Sequence, residues 1–297
     1  MTFLYRVFGL TLQTPFPCPD LPHEPAASSP PDLRVTEGQV PRSMEGASVR
    51  KPRWEAGPGW FLWRGGLRSG RFLAERGNLV TFERNPGAEE AQLQAHLQSQ
   101  VLPVLLGQRD LLVLHANAVT TPAGYAVAVS GPSGTGKSTT LATLAERGCR
   151  ILSDDLTVLQ RDDQGRILVL PGLPHMHLTE AAAQGLDRDI SGFPRYALNR
   201  GKAVVPLHPL MASEPAPLKA LFLMEAVQGG EVRAQGLEGH AKLRAIQDCL
   251  YGPLGPQDHG RQFQMLVAVA QSVTVYGIQR PIGRWTPEAV ADAVLHG

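Results

Sequence analysis

The pattern of apolar and polar positions changes near residue 85, and this change divides the chain into two parts. Before it, short aromatic and apolar runs alternate with polar residues and are separated by glycines, which predicts strands and turns. The segment that follows, GAEEAQLQAHLQSQVLPVLLGQ, has apolar residues at helical spacing, and its end is predicted at Pro103 and Gly107. We therefore expect a small β-rich domain over 1–108 that ends in a hinge helix, and a second domain over 109–297.

Six aromatic residues in the first part alternate roughly with polar ones. This pattern fits the inner face of a small sheet, and it also fits a platform on which nucleic-acid bases stack. No cluster of Lys and Arg surrounds these aromatics, so the buried sheet face is the favoured interpretation. The six residues are Trp54, Trp60, Phe61, Trp63, Phe72 and Phe82.

In the second part, apolar runs of strand length alternate with helical patterns, which predicts an α/β domain. A glycine-rich loop lies between the second predicted strand and the first predicted helix. The predicted elements are strands over 111–119 and 125–131, a helix over Thr139–Arg147, a strand CRILSDD, a hairpin over 157–170 with its turn at Asp162–Gly165, a strand LKALFLMEAV, a helix near 239–251 and a last strand–loop–helix.

The loop GPSGTGKS matches the phosphate-loop pattern G-x-x-x-x-G-K-[ST] without a mismatch. Its glycines let backbone N–H groups point at phosphate oxygens, and the following helix presents its positive end to them. Lys137 is expected to contact the β- and γ-phosphates, and Ser138 to bind magnesium. A chance match is the alternative, but the strand before the loop and the helix after it fit the motif. The expected nucleotide-binding residues are Gly131, Pro132, Ser133, Gly134, Thr135, Gly136, Lys137, Ser138 and Thr139.

Two adjacent carboxylates follow the loop. Asp154 and Asp155 end the next predicted strand, 17 and 18 residues after Lys137. Ligands of α/β sheets lie beyond the carboxyl ends of the strands, so one carboxylate can bind magnesium and the other can accept a proton from an attacking hydroxyl. The alternative is that both cap the turn before Thr157. His115 precedes the loop on an apolar strand, where it is either a satisfied core residue or a partner that tunes an aspartate.

Weaker candidates lie further along the chain. His175 and His177 would share one face of a strand, as two metal ligands do, but no third ligand is placed by spacing, so a solvated pair is favoured. Trp285 is expected to pack against the terminal helix. Two groups of basic residues can contact a phosphate or an acidic peptide, or else belong to ordinary solvated loops: Arg195, Arg200 and Lys202, and, with less support, Arg280 and Arg284.

Composition excludes several classes of protein. With 28 basic and 27 acidic residues the net charge is +1, so no basic excess indicates binding to nucleic acid or to an anionic membrane. The three cysteines are widely spaced and form no C-x-x-C motif, which argues against a zinc site or a disulfide framework. No apolar run is long enough to span a membrane, and the start has no signal-peptide pattern. We therefore expect a cytoplasmic protein.

The motifs LHANAV and SGPSGTGKSTTLATLAERGCRILSDDL together resemble the catalytic core of HPr kinase/phosphorylase, over Leu111–Leu170. The resemblance implies a P-loop domain of the phosphoenolpyruvate-carboxykinase-like type, use of ATP and magnesium, phosphorylation of a serine hydroxyl and a homo-oligomer. It implies that Lys137 and Ser138 handle phosphate and metal, that Asp154 is the catalytic base and that Asp155 is on the metal side. His115 matches the histidine of the family.

The chain departs from that family after the hairpin. The signature E-[LI]-R-G-x-G-[IL]-[IL]-[DN]-V, which supports dephosphorylation, is replaced by PGLPHMHLTEAAAQGL, so phosphorolysis is not expected. The chain is more similar to the HPr-kinase-related proteins of lasso-peptide gene clusters, whose opening resembles YRVFGLTLQTPFPCPDLP. The main hypothesis is an ATP- and magnesium-dependent kinase that acts on a serine of a peptide or protein. Residues 1–108 contain no catalytic constellation, so we expect them to recognise the acceptor or to shape the oligomer. A kinase of a small hydroxylated metabolite and a non-catalytic nucleotide-sensing module are the alternatives.

Overall fold

The computed structural model describes residues 1–25, 29–195, 201–252 and 259–296. The chain forms two compact units, and each unit takes residues from two separate stretches of sequence. Unit 1 comprises Met1–Leu111 and Tyr251–Gln262, and unit 2 comprises Leu112–Leu250 and Phe263–Gly297. The second stretch of unit 1 therefore interrupts the sequence of unit 2.

Unit 1 contains one mixed sheet of eight short strands. The strands are β1 (Phe3–Val7), β2 (Leu10–Thr14), β3 (Leu33–Glu37), β4 (Val49–Lys51), β5 (Trp54–Gly57), β6 (Trp60–Arg64), β7 (Gly70–Glu75) and β8 (Leu79–Arg84). They lie in the order β1-β2-β3-β8-β7-β6-β5-β4. Strand β3 is parallel to both its neighbours, and the other pairs are antiparallel. The predicted β-rich character of this part is confirmed.

Aromatic side chains form the core of this sheet. Phe61, Phe72 and Phe82 are fully buried, and Trp63 is nearly so. Phe72 and Phe82 occupy paired positions on β7 and β8, and their ring centroids are 6.0 Å apart. The other two tryptophans of the predicted pattern are half-buried. Buried rings cannot stack on bases, so the prediction of an inner sheet face is confirmed.

One buried carboxylate belongs to unit 1. Glu55, on β5, is only 5% exposed. It accepts a hydrogen bond from the backbone N–H of Met44 at 3.0 Å and forms ion pairs with Arg64 and, at 2.7 Å, with Arg50. Burial raises the pKa of Glu55, but the N–H group and the two guanidinium groups outweigh it and hold that pKa below its usual value. The charge of this acid is therefore compensated by permanent cations.

The predicted helix of unit 1 is present, but it does not stop at Pro103. It consists of α1 (Glu90–His96), a π-helical turn (Leu97–Val101) and α2 (Leu102–Gln108). Pro103 stands in the first turn of α2, directly after the π-helical turn, so its missing N–H removes no hydrogen bond within α2 itself. The helix therefore continues to Gln108, next to the end predicted at Gly107. Its role as a hinge stays a prediction.

Unit 2 contains a nine-stranded sheet and a separate two-stranded one. The strands are β9 (Leu112–Leu114), β10 (Ala116–Thr120), β11 (Ala126–Ser130), β12 (Arg150–Ser153), β13 (Thr157–Arg161), β14 (Ile167–Leu170), β15 (His175–Leu178), β16 (Ala203–Pro206), β17 (Ala216–Val227), β18 (Arg233–Gly236) and β19 (Thr274–Pro281). The large sheet has the order β12-β10-β11-β17-β14-β13-β9, and β19 pairs with both β17 and β18. Strand β15 pairs with β16.

The strand predicted over 111–119 is divided at His115. Strand β9 pairs with β13, whereas β10 pairs with β11 and β12, so the two halves belong to different regions of the sheet. The hairpin of β13 and β14 is confirmed, and its turn is closed by a bond of 2.9 Å from the N–H of Gly165 to the carbonyl of Asp162.

Helices cover both faces of the large sheet. They are α3 (Lys137–Glu146), α4 (Glu180–Gly185), α5 (Gly239–Asp248), α6 (His259–Ser272) and α7 (Pro287–His296). Val129 of β11 packs in an apolar cluster with side chains of α3 and α7, whereas its neighbour Ala128 packs in another with side chains of α5 and α6. Because successive residues of a strand face opposite sides, α3 and α7 cover one face and α5 and α6 the other. The mixed α/β class expected from the sequence is confirmed.

Two expectations about the whole chain can be compared with this fold. Among the described residues, no helix has both the length and the hydropathy that a membrane span requires. Cys18, Cys149 and Cys249 are buried and free, which agrees with the expected lack of a disulfide framework. Burial raises the pKa of Cys18 to about 12 and that of Cys249 to about 11, so both thiols stay protonated at neutral pH.

Candidate functional site

The predicted phosphate loop joins β11 to α3. Gly136 is the N-cap of α3, in the left-handed conformation at φ 101°, and no side chain caps the helix. The first-turn N–H groups of α3 therefore point into the loop without a side-chain acceptor. This arrangement, with the positive end of the helix behind it, suits a bound phosphate.

Gly131, the first residue of the loop, has no room for a side chain. A Cβ atom there would lie 2.3 Å from the carbonyl oxygen of Met224 on β17, and φ is 147°. The close approach follows from the parallel pairing of β11 with β17, in which Ser130 is opposite Leu223. The first glycine of the motif is therefore required by packing as well as by backbone conformation.

Lys137 begins α3 and is largely buried. Its Nζ atom donates to the carbonyl of Gly131 at 2.8 Å, so the ammonium group lies along the inside of the loop. Burial lowers the pKa of Lys137, while the nearby Asp155 and Asp154 carboxylates oppose that shift. A lysine in this position can contact a phosphate without a large movement of its backbone.

Asp154 connects the loop to two strands of unit 2. Its side chain has no exposed area. Its Oδ1 accepts hydrogen bonds from Asn117 Nδ2 at 2.7 Å and from Ser138 Oγ at 3.2 Å, and its Oδ2 accepts from the backbone N–H of His177 at 2.7 Å. The carboxylate therefore holds β10, the start of α3 and β15 together.

Asp155 lies beside it but faces the solvent-accessible side. Its φ is 60°, in the left-handed region that Asp adopts more readily than most residues. Its N–H donates to Asn117 Oδ1 at 3.2 Å, so Asn117 contacts both aspartates. Burial raises the pKa of Asp155, but the charges of His177 and Lys202 outweigh it, and the pKa lies well below its usual range. Asp155 is therefore an anion with a quarter of its side chain exposed.

His177 joins the two aspartates, which the sequence did not predict. Its Nδ1 atom lies 3.7 Å from Asp154 Oδ2 and 3.5 Å from Asp155 Oδ2. Burial lowers the pKa of His177, but the two carboxylates raise it to about 9. The expectation of a solvated histidine pair is wrong, because the His177 side chain is only 16% exposed.

His175 shares the strand with His177 but not its environment. Its ring is stacked edge-on against that of His177, with centroids 5.2 Å apart. Burial lowers the pKa of His175 to about 3, and within the described part of the chain its Nδ1 atom has no hydrogen-bond partner. His175 is therefore a neutral core residue, and only one histidine of the pair reaches the site.

His115 lies at the break between β9 and β10. Its backbone N–H donates to the carbonyl of Cys249 at 2.7 Å, and its own carbonyl accepts from Ser130 Oγ at 2.8 Å. Burial lowers the pKa of the His115 imidazole, and the positive charge of Lys137 lowers it further. The imidazole is therefore within electrostatic reach of the loop and uncharged at neutral pH.

A cavity of about 530 Å³ opens beside these groups, and we call it the phosphate-loop cavity. Its walls come from the loop, Asp155, the strand β19 and the start of α7. Its principal lining residues are 133–140, Asp155, His177, Lys202, Arg280 and 283–287. A cavity of this size fits a nucleotide-sized ligand.

The basic residues suggested by the sequence lie in different places. Lys202 and Arg284 line the phosphate-loop cavity, and so does Arg280, whose Nε donates to the carbonyl of Thr135. Arg195 instead forms an ion pair with Glu180 and is not part of that lining. Arg200 is outside the described residues.

Trp285 differs from its predicted role. It is 55% exposed and lines the phosphate-loop cavity instead of being enclosed against the terminal helix. Its ring approaches the end of α4 so closely that a Cβ atom at Gly185 would lie 2.3 Å from the indole. More than half of the Trp285 surface is exposed, so the expectation that this side chain is packed against the terminal helix is wrong for that exposed part.

The donor set fits a magnesium ion. Asp154, Asp155 and His177 each offer one ligand atom, and these atoms lie within 4.8 Å of one another. Ser138 Oγ adds an oxygen next to Asp154. Magnesium prefers oxygen ligands, so the two carboxylates and the hydroxyl suit it better than the imidazole does.

Comparison with known proteins gives a distant structural likeness and no family. No family model matches the chain. Among solved structures, the Hpr(Ser) kinase/phosphatase from Coxiella burnetii is similar, with 14% sequence identity and a TM-score of 0.32. The likeness covers 62% of this chain and 88% of that one. The interpretation of the site therefore rests on its geometry.

Proposed function

We propose that this chain is a phosphotransferase that moves the γ-phosphoryl group of ATP to a serine hydroxyl of a peptide or protein. The observation that carries the proposal is the hydrogen bond of 3.2 Å between Ser138 Oγ and Asp154 Oδ1. It joins the residue that follows the phosphate-loop lysine to Asp154, whose neighbour Asp155 lines the same cavity as the loop. Phosphate-binding groups and a proton acceptor are thereby brought together, as transfer to a hydroxyl requires.

Each part of the loop has a task in this reaction. The N–H groups of the loop and of the first turn of α3 bind phosphate oxygens, and Lys137 adds a positive charge at the β- and γ-phosphates. Lys202 and Arg280, which line the same cavity, add further positive charge. A bound Mg²⁺, held by Ser138 and Asp154, would neutralise part of the triphosphate charge.

We assign Asp155 to the incoming hydroxyl and Asp154 to the metal side, which reverses the expectation from the sequence. Two observations support this division. Asp154 has no exposed area and bonds to Ser138, whereas Asp155 is a quarter exposed and lines the phosphate-loop cavity. An acceptor can therefore reach Asp155 more easily than Asp154.

The proposed reaction balances as a single displacement. The serine oxygen forms a bond to the γ-phosphorus, and the bond from that phosphorus to the β,γ-bridging oxygen breaks, so that ADP leaves. The hydroxyl proton passes to the Asp155 carboxylate. His177, beside both carboxylates, holds Asp155 in position through its positive charge. Catalysis comes mainly from positioning and charge stabilisation.

The test measures ATP binding and phosphate transfer separately. Isothermal titration with ATP and Mg²⁺ gives the affinity, and [γ-³²P]ATP with short synthetic peptides that contain one serine gives the transfer. Lys137→Ala is expected to abolish transfer while the far-ultraviolet circular dichroism stays unchanged. Lys51→Ala, an exposed lysine of β4, is the matched control.

The outcomes separate the candidate functions. Label on peptides, lost in Lys137→Ala and kept in Lys51→Ala, supports the proposal. Label on free serine or glycerol but on no peptide favours the kinase of a small metabolite. ATP binding without any turnover favours the nucleotide-sensing module. Undiminished transfer by Lys137→Ala would overturn the proposed site.

A further inference from the structure

One aromatic side chain in the wall of the phosphate-loop cavity has no part in the proposed transfer. Trp285, in the loop between β19 and α7, is 55% exposed. Among the described residues, the exposed large apolar side chains are Met1, Leu67, Phe263, Ile282 and Trp285, and of these Trp285 alone lines the cavity. Apolar surface in water is unfavourable, so covering it contributes to binding. Trp285 therefore offers this cavity an aromatic surface that a planar group can cover.

A glycine of α4 holds the indole ring of Trp285. A Cβ atom at Gly185 would lie 2.3, 2.5 and 2.6 Å from three neighbouring atoms of the six-membered ring. Distances this similar place Gly185 over the face of the ring, because an approach at the edge would bring one atom clearly closer than the other two. The φ of Gly185 is outside the left-handed region, so conformation does not require glycine there. The space that the indole occupies does.

The other face of the ring is open. A tryptophan whose indole was covered on both faces could not keep more than half of its area exposed, as Trp285 does. A ring that is fixed on one face and open on the other is the arrangement on which a nucleic-acid base stacks. Stacking accepts any base, because every base has a π-face. The open face of Trp285 therefore suits the base of a nucleotide.

The position of Trp285 along α4 fits a nucleotide whose phosphates lie in the loop. Helix α4 has six residues and is therefore about 9 Å long. The ring lies over Gly185 at its carboxyl end, whereas His177 and, beside it, Asp155 lie just before its amino end. The cavity is also lined by Thr179, Ala181 and Ala182, between these two ends. A base on Trp285 thus directs its phosphates along α4 toward Asp155, the carboxylate assigned to the incoming hydroxyl.

The segment that carries Trp285 also contacts the phosphate loop. Arg280, near the end of β19, donates through Nε to the carbonyl of Thr135. Trp285 follows five residues later, and Gly283 and Arg284 between them line the cavity. One segment therefore contacts the phosphate loop at one end and presents the ring at the other. A ligand with an anionic part and a planar part requires this combination.

We infer that the base of the bound nucleotide stacks on the open face of Trp285, and that Gly185 positions the ring for this contact. Trp285 is thus a residue that binds the base and not a catalytic residue. This inference rests on the nucleotide site of the proposed function and deepens it, because it names the group that distinguishes a nucleoside triphosphate from inorganic triphosphate.

The experiment compares a ligand that has a base with one that does not. Isothermal titration in the presence of Mg²⁺ gives the Kd of ATP and of inorganic tripolyphosphate for the full chain. The variants are Trp285→Ala, Trp285→Phe, Gly185→Ala and the double variant with alanine at both positions. Phe263→Ala is the matched control, because Phe263 is 52% exposed and does not line the cavity. Tryptophan emission is recorded in the same titrations, because a stacked base quenches indole fluorescence.

Trp285→Ala should raise the Kd of ATP by about 5- to 150-fold, the range for the loss of one stacked base. The Kd of tripolyphosphate should stay within about twofold of wild type, which also reports that the variant folds. Trp285→Phe keeps an aromatic face and should bind ATP more tightly than Trp285→Ala does. ATP should quench the emission of wild type but not that of Trp285→Phe, and tripolyphosphate should quench neither.

Gly185→Ala tests how the ring is positioned. Alanine stabilises a helix relative to glycine, so weaker binding of ATP would come from the displaced indole and not from α4. We expect the Kd of ATP to rise in this variant. The double variant should bind ATP no more weakly than Trp285→Ala alone, because the two residues act through one contact.

Several results would overturn the inference: an unchanged ATP Kd in Trp285→Ala, an equal rise for tripolyphosphate, an equal rise in Phe263→Ala, or equal quenching by tripolyphosphate. ATP binding by Gly185→Ala as tight as in wild type would overturn the role of Gly185. The proposed function fails in a different way. Wild type that binds ATP with the expected quenching but labels no peptide would overturn the transfer and leave the stacking in place.

Discussion

Each of the two units buries a carboxylate, but the two carboxylates have different hydrogen-bond and ion-pair partners. Glu55 of unit 1 receives one backbone N–H and two guanidinium groups. Asp154 of unit 2 also receives one backbone N–H, but its side-chain partners are an amide, a hydroxyl and a histidine. Permanent cations make the first arrangement complete as it stands. Asp154 has neutral and titratable partners and lies beside the phosphate loop, so it can still interact with a charged ligand. The partners of a buried acid, and not its burial, therefore distinguish a structural role from a functional one.

The largest effect is expected for Asp155→Asn, which removes the proposed proton acceptor of unit 2. Asparagine keeps the size of the side chain and tolerates the left-handed backbone, but it cannot accept the proton. We expect phosphate transfer to fall by about 10²- to 10⁴-fold, with ATP affinity retained. Single-turnover transfer and isothermal titration measure the two effects, and Asp163→Asn, an exposed acid of the hairpin turn, serves as control.

The companion variant Asp154→Asn tests the division of roles. It should weaken the Mg²⁺-dependent binding of ATP and respond to added Mg²⁺, whereas Asp155→Asn should not. The opposite pair of phenotypes would restore the assignment expected from the sequence. Normal transfer in both variants would rule out a chemical role for either carboxylate.

A smaller effect is expected for His177→Ala. The backbone N–H of residue 177 still donates to Asp154, whereas the imidazole, its contact with His175 and its positive charge beside the two carboxylates are lost. Residues that orient the ligands of a site typically change activity by about 10- to 100-fold, and we expect transfer to fall within that range. His240→Ala, on the exposed surface of α5, is the control. If His177→Ala transfers as fast as this control does, His177 is only a packing residue.

Glu55→Gln tests the structural role of the buried carboxylate of unit 1. It should leave phosphate transfer unchanged and destabilise unit 1 by about 1–3 kcal/mol at pH 7, the usual range when a buried hydrogen-bonding group loses its partner. The pKa of Glu55 is lowered in the folded state. Its contribution is therefore present above the unfolded pKa, about 4.3, and is lost as the pH falls through the folded value.

Urea unfolding followed by tryptophan fluorescence measures this difference, because Trp54, Trp60 and Trp63 all lie in unit 1. The gap in stability between wild type and Glu55→Gln should narrow as the pH is lowered from 7 to about 3. A gap that does not change with pH would mean that the shape of the side chain matters and not its charge.

Local patterns were sufficient for the loop and for the position of the aspartate pair. Glycine spacing, the strand before the loop and the helix after it are all neighbours in sequence, so each supports the others. The cross-strand partners of Asp154 could not be predicted in this way. Asn117 and His177 reach Asp154 over separations of 37 and 23 residues, and these depend on strand pairing, which no local pattern specifies. Asn117 did carry a signal, because it is a polar residue within an apolar strand.

The break at His115 was hidden for a related reason. Both sides of it are apolar, so the hydrophobic pattern continues unbroken over 111–119 although β9 and β10 pair with different strands. Apolar residues predict that both segments are buried, but they do not predict which strands the two segments pair with. The exposure of Trp285 could not be foreseen either, since tryptophan is usually an interior residue.

The left-handed backbone at Asp155 has a consequence for the history of this site. Only glycine, asparagine and aspartate readily take that conformation, so most substitutions there strain the chain whatever they do to the chemistry. If the proposed transfer were no longer needed, substitutions at this position would mainly be to asparagine or glycine. Under the proposed function, a related sequence with an intact phosphate loop and one of these two residues here is expected to bind nucleotide without transferring phosphate.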